Sequence, residues 1–264
     1  MFAYDFMRHA FVAATIVGLL AGAVGWFLVL RGQTFAGHAL GHIGFTGATG
    51  AALIGLSPLA GLIGATVLGG IGMGALGERL AERDVGIGVV LAFALGLGFL
   101  FLHFYTAYAG EAVALLFGNI LGVSARTLAV LAVLGAASLC ALALIARPLL
   151  AASLQPELAE AKGVNLRLVS VLFLAIVAVA TAESAEIVGV LLVFALMVGP
   201  AATVQRLTPR IGWGVAAAAG LAVIEGWAGL AGAYYSDWPA TFWISALSAG
   251  GYLLAGAATA GAAG

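Results

Sequence analysis

Charge is what this sequence has least of. Only 8% of its 264 residues are Asp, Glu, Lys or Arg, while 64% are hydrophobic; soluble domains carry about a quarter charged residues. A water-soluble globular domain is thereby excluded, and a net charge of −1 offers no handle for nucleic acid. Cysteine is confined to Cys140. No intrachain disulfide can form, and a thiol in an apolar run is expected to be packed and inert. The short alternating strands that build outer-membrane barrels are missing. No cleavable leader is expected, because residues 1–10 are polar and aromatic and the apolar run behind them continues to spanning length. Neither the G-x-x-x-x-G-K-[ST] phosphate loop nor H-E-x-x-H occurs, which argues against an ATP site or a zinc-protease centre in this chain. No strong internal repeat or soluble second domain interrupts residues 1–264, read as one transmembrane domain.

What is present is a series of apolar runs approaching the roughly 20 residues a helix needs to cross the hydrocarbon core. Spans are predicted over residues 11–30, 35–56, 59–76, 87–104, 128–145, 168–180, 187–205, 211–232 and 238–255. The fold class is all-α, a polytopic membrane protein of about nine transmembrane helices within a range of 8–10. Residues 106–124, broken by Gly110, Gly118 and Gly122, are expected to be short or re-entrant. Under strict alternation Arg31, Arg79, Arg83, Arg147, Lys162, Arg167, Arg206 and Arg210 share one side, which the excess of basic residues marks as cytoplasmic. The N-terminus is then outside and the C-terminus inside. Asp237 falls outside, near an interfacial belt of Tyr234, Tyr235 and Trp238, and Arg126 breaks the pattern.

One stretch departs from the apolar rule. RGQTFAGHALGHIGFTGATG, residues 31–50, carries His38 and His42 four positions apart, so on a helix both imidazoles leave one face. Neutral imidazole is a good ligand for first-row metals, and an ionisable residue inside a span is by default functional. A packed or hydrogen-bonded pair is the structural alternative. Gly37, Gly41, Gly44, Gly47 and Gly50 on the same stretch let neighbouring backbones come close, which predicts a buried helix.

Three carboxylates also stand out. Glu225 lies deep in an apolar run and is costly unless it faces water or is paired with Arg126, Arg206 or a backbone donor. Glu183 and Glu186, three residues apart, are placed at the outward mouth between two spans, where they either gather a divalent cation or are solvated loop charges. The fifth span is expected to end before Arg147 and Pro148. In the loop that follows, Pro156 suits a first helical position, Glu157 a first turn, Lys162 a last turn and Gly163 a stop, which defines a short surface helix.

Four segments in order, VLRGQTFAGHALGH, LLFGNILGVS, SLQPELAEAKGVN and EIVGVLLVFALMVGPAAT, resemble the permease of metal-chelate ABC transporters, the family that imports zinc, manganese or iron in bacteria. The first looks like that family's R-x-x-S-F-x-G-D-A-L-S-H stretch. The resemblance implies a type II ABC importer-like permease in the bacterial cytoplasmic membrane. Its partners would be a second copy of itself, cytoplasmic ATPase subunits and an extracytoplasmic metal-binding protein. It implies no permanently bound cofactor, the Zn2+ (or Mn2+/Fe2+) being cargo. It sets His42 on the family's histidine and His38 where the family usually has aspartate, both in the permeation path. Gly41 replaces the usual serine, and Glu186 a common glutamine. Two imidazoles in place of carboxylate plus imidazole move preference toward zinc. Gln155, Pro156, Glu157, Leu158, Ala159, Glu160, Ala161, Lys162 and Gly163 correspond to the coupling helix that sits in a groove on the ATPase.

The function so implied is the membrane-spanning, non-enzymatic subunit of an ATP-driven importer of divalent metal, zinc first. Glu183, Glu186 and Glu225 are further candidates for its path. The alternatives are a manganese or iron permease of the same family, a siderophore or cobalamin permease, and a proton-coupled secondary transporter. The siderophore and cobalamin group lacks the helical histidine pair. A secondary transporter would favour broken helices in paired halves, which this sequence does not display.

Overall fold

In lipid the backbone has no water to bond, so each apolar run must satisfy its own peptide groups, and helices do so. The computed structural model describes residues 4–75, 80–104 and 118–262, and every described element is helical. In chain order these are α1 Asp5–Leu30, α2 Thr34–Leu53, α3 Pro58–Ala75, α4 Leu80–Phe104, α5 Ala125–Leu154, α6 Pro156–Ala161, α7 Leu166–Val188, α8 Val190–Leu207, α9 Ile211–Ser236 and α10 Ala240–Ala262, with a 3-10 turn at Ile120–Gly122. Among the described residues seven are long and apolar enough to cross a membrane, namely α1, α3, α4, α5, α7, α9 and α10. With α2 and α8 packed among them, the count approximates the nine spans predicted. Arg79 and residues 106–117 of the predicted re-entrant stretch lie outside the described residues, as does the side chain of Arg83.

The interior is built around α1 and α7. Helix α1 packs on α5, α7, α8 and α9, while α7 also meets α2, α3, α5 and α8. Small residues make the approaches possible, since packing replaces the hydrophobic effect as the force between helices in lipid. A Cβ on Gly47 of α2 would stand 2.3 Å from the Gly61 carbonyl oxygen of α3, and one on Gly61 would stand 2.2 Å from that of Gly47. The histidine-bearing helix is therefore buried by backbone contact, as its glycines predict.

Helices α7 and α8 are separated by Gly189 alone, at φ +82° and ψ 155°. The Thr181 hydroxyl on α7 lies 3.8 Å from the Met197 sulfur on α8, so the two helices fold back on each other across that one residue. The predicted boundary at residue 180 is corrected here. Helix α7 runs on to Val188, because nothing before Gly189 breaks it, and Glu183 and Glu186 belong to the helix rather than to a solvated loop.

Two further expectations are corrected. Helix α5 does not end before Arg147 but continues through Pro148 to Leu154. Proline removes one helical hydrogen bond, yet Leu149 and Ala152 beyond it are buried in the bundle, and Arg31 donates to the Ser153 hydroxyl at 3.2 Å. That bond also sets the α1–α2 turn and the α5–α6 turn at one end of the bundle, where the basic residues placed them. Cys140 is exposed, because it sits on the face of α5 turned away from the other helices.

Candidate metal path

The helical spacing of His38 and His42 brings them together as predicted. Their rings stand edge to face with centroids 4.8 Å apart. His42 is 9% exposed and its Nδ1 completes no hydrogen bond. A buried polar nitrogen without a partner is costly unless something else fills its coordination, so in the tautomer that protonates Nε2 this nitrogen is open to a ligand. His38 is half-buried and meets Phe194 of α8 with ring centroids 5.2 Å apart, a contact that spans the gap between α2 and α8. Beside the pair, a Cβ on Gly41 would have Val190 Cγ1 at 3.4 Å and Thr181 Cγ2 at 3.9 Å, so the serine usual at this position would fit.

The structure does not gather the three glutamates onto the histidines, and among the described residues no group of three or more His, Cys, Asp or Glu forms a metal cage. Glu183 is 1% exposed with both carboxylate oxygens unpartnered. A Cβ on Gly135 of α5 would be 3.3 Å from its Oε2, so the side chain points to the α5 side of the bundle. Glu186 is half-buried on the same helix. Glu225, 4% exposed, sits in α9 with both oxygens unpartnered, and neither Arg126 nor Arg206 pairs with it. Arg206 instead lies 3.9 Å over the Tyr252 ring and donates to its hydroxyl.

Helix α6 forms as its sequence predicts. Pro156 opens it, Glu157 lies in its first turn, and Gly163 follows its end at φ +84° with its N–H bonded to the Glu160 carbonyl at 2.8 Å. Asn165 then caps α7 by accepting from the Leu168 N–H at 2.9 Å. Ala159 is the buried residue of the turn, while Gln155, Pro156, Glu157, Leu158, Glu160, Ala161, Lys162 and Gly163 are exposed. Leu158 stands exposed between Glu157 and Glu160 on this six-residue helix.

Phe194, Thr203 and Ser248 were not singled out from the sequence. They are ordinary residues of apolar helices, and only their meeting across helices distinguishes them.

The described residues form a multi-pass helical bundle with paired histidines on a buried helix. The chain matches the ABC 3 transport family over residues 3–258 and belongs to it. It is 31% identical over 240 residues to the manganese transport system membrane protein MntC of Halalkalibacterium halodurans, covering 89% of this chain and 80% of that one. It is 28% identical over 201 residues to the manganese import system permease protein ScaB of Streptococcus parasanguinis, covering 76% and 71%. Its fold is similar to PsaBC from Streptococcus pneumoniae in complex with Fab, with a TM-score of 0.85 at 25% identity over 96% of this chain and 91% of that one.

Proposed function

We propose that this permease carries a divalent first-row metal inward through a path on which His38 and His42 form a transient site, with zinc the favoured cargo. The unpartnered, buried Nδ1 of His42 beside the His38 ring is the observation that carries this reading. Two nitrogens leave a tetrahedral shell incomplete, so water, a second copy of the chain or another helix supplies the rest. Incomplete coordination suits a site that must release its ion. In this reading two copies of the chain work with cytoplasmic ATPase subunits, which hydrolyse the ATP, and with an extracytoplasmic metal-binding protein. The segment from Gln155 to Gly163 transmits the ATPase movement as a rigid piece between α5 and α7.

A second reading, manganese as cargo, is supported by the similarity to MntC and ScaB, named for manganese transport and manganese import. Uptake of radioactive zinc and manganese by the full complex in proteoliposomes, with each metal competing against the other, distinguishes them. Preferential zinc uptake supports the first reading, preferential manganese uptake the second, and uptake of neither overturns both.

A further inference from the structure

A second polar cluster lies where α8, α9 and α10 meet. Glu225 (4% exposed), Thr203 (5%) and Ser248 (3%) come from three different helices. Neither oxygen of Glu225 nor the hydroxyl of Thr203 completes a hydrogen bond. Ser248 stands beside the Glu225 carboxyl, toward which its hydroxyl can also turn, and lies 3.1 Å from the Ala195 carbonyl oxygen as a donor. Between these groups Gly251 leaves a space, for a Cβ there would stand 3.8 Å from Glu225 Oε1 and 3.8 Å from Thr203 Oγ1. Glu225 and Thr203 thus border one small gap inside an apolar bundle, with Ser248 beside the carboxyl. Leaving them without partners is costly unless a ligand enters.

Phe194, which meets His38, and Ser248, which neighbours Glu225, border a common groove. A cleft of about 330 Å3 between α8 and α10 is bordered by Phe194, Gly199, Ser245, Ser248 and Tyr252. Phe194 at one end touches His38, and Ser248 belongs to the oxygen cluster. From Phe194 to Thr203 the helix rises roughly 14 Å at about 1.5 Å per residue, toward the Arg206 end of α8.

We infer that Glu225, with the hydroxyls of Thr203 and Ser248, forms a second, oxygen-donor station for a divalent cation, one step beyond the histidine pair. This rests on the transport reading given above. The chemistry differs usefully between the stations. Imidazole nitrogens hold first-row metals firmly, whereas carboxylate and hydroxyl oxygens are harder donors that suit manganese and hold zinc less tightly. A path that moves its ion must bind well enough to admit it and weakly enough to let it go, and several sites in series achieve this.

The test is Mn2+ binding to the full complex, counted by electron paramagnetic resonance without ATP. Wild type is expected to show two Mn2+ ions per protomer. The His38→Ala/His42→Ala double variant loses one of them and Glu225→Gln the other. Gly251→Ala fits at ordinary contact distance but fills the gap, and it should weaken the second ion at least tenfold. Unchanged titrations in both Glu225→Gln and Gly251→Ala overturn the proposal. Should Glu225→Gln fail to assemble, Gly251→Ala and Thr203→Val, which keep the carboxyl, decide by the same criterion. Because binding is read without turnover, a wild type that binds two ions but carries no metal into vesicles overturns the transport reading alone. Wild-type transport with one ion bound, unaffected by Gly251→Ala, overturns the second station alone.

Discussion

Thr181 and Met197 lie eight positions either side of Gly189 and meet with 3.8 Å between hydroxyl oxygen and sulfur. The reversal between α7 and α8 thus rests on one residue, held at φ +82° and ψ 155°, a conformation essentially restricted to glycine. Gly189→Ala is expected to cost about 1–3 kcal/mol and to lower the thermal stability of the purified protein in detergent. Gly212→Ala, at a helical site with open space around its Cβ, serves as the control and should not lower it. Equal melting of wild type and Gly189→Ala by fluorescence-detected chromatography contradicts this account.

The reciprocal contact of Gly47 and Gly61 makes a different demand. Each lacks a side chain because the partner's carbonyl oxygen stands 2.2–2.3 Å from where a Cβ would be. Either Gly→Ala change must push α2 from α3, and overpacking of this kind typically costs about 1–3 kcal/mol. Since α2 carries both histidines, metal uptake should fall together with stability. A variant that melts like wild type shows that the helices part more easily than the contact implies.

For the metal path, His38→Ala and His42→Ala should each reduce zinc uptake on the order of 10–100-fold while leaving membrane insertion intact. Acidification should also slow uptake, because a protonated imidazole has no lone pair for metal. His38→Asp should raise manganese uptake relative to zinc by introducing a hard donor. Adding Gly41→Ser, which the surrounding space accepts, should extend that shift. Radiotracer uptake at matched expression measures all of these, and wild-type zinc transport in both alanine variants would reduce the pair to packing.

Gly163 terminates α6 at φ +84° with open space around it, so a substitution there acts through backbone strain alone. Gly163→Val should cost about 1–2 kcal/mol locally and misplace the short helix. Replacing Glu157 removes a first-turn charge that favours the same helix. In the reconstituted complex both changes should lower transport per ATP hydrolysed by severalfold. An unaltered ratio in both variants counts against a coupling role for residues 155–163.

Much of this protein was determined by sequence alone. Scarce charge and long apolar runs require helices in lipid, because no other open chain structure satisfies its backbone there. The four-residue spacing of His38 and His42 places them on one face whatever surrounds them. The residues Pro156, Glu157 and Gly163 bound a short helix through purely local chemistry. Tertiary structure decided what depends on neighbours. Helix α5 passes Pro148 because buried Leu149 and the Arg31–Ser153 bond hold its last turns, contacts that no local pattern encodes. Glu183 and Glu186 lie within a helix because the chain turns at Gly189, a single residue that resembles many other glycines in the sequence. Glu225 meets Thr203, Ser248 and the gap at Gly251 only because three helices converge there, and hydroxyls in apolar helices carry no signal until packing brings them to a carboxylate.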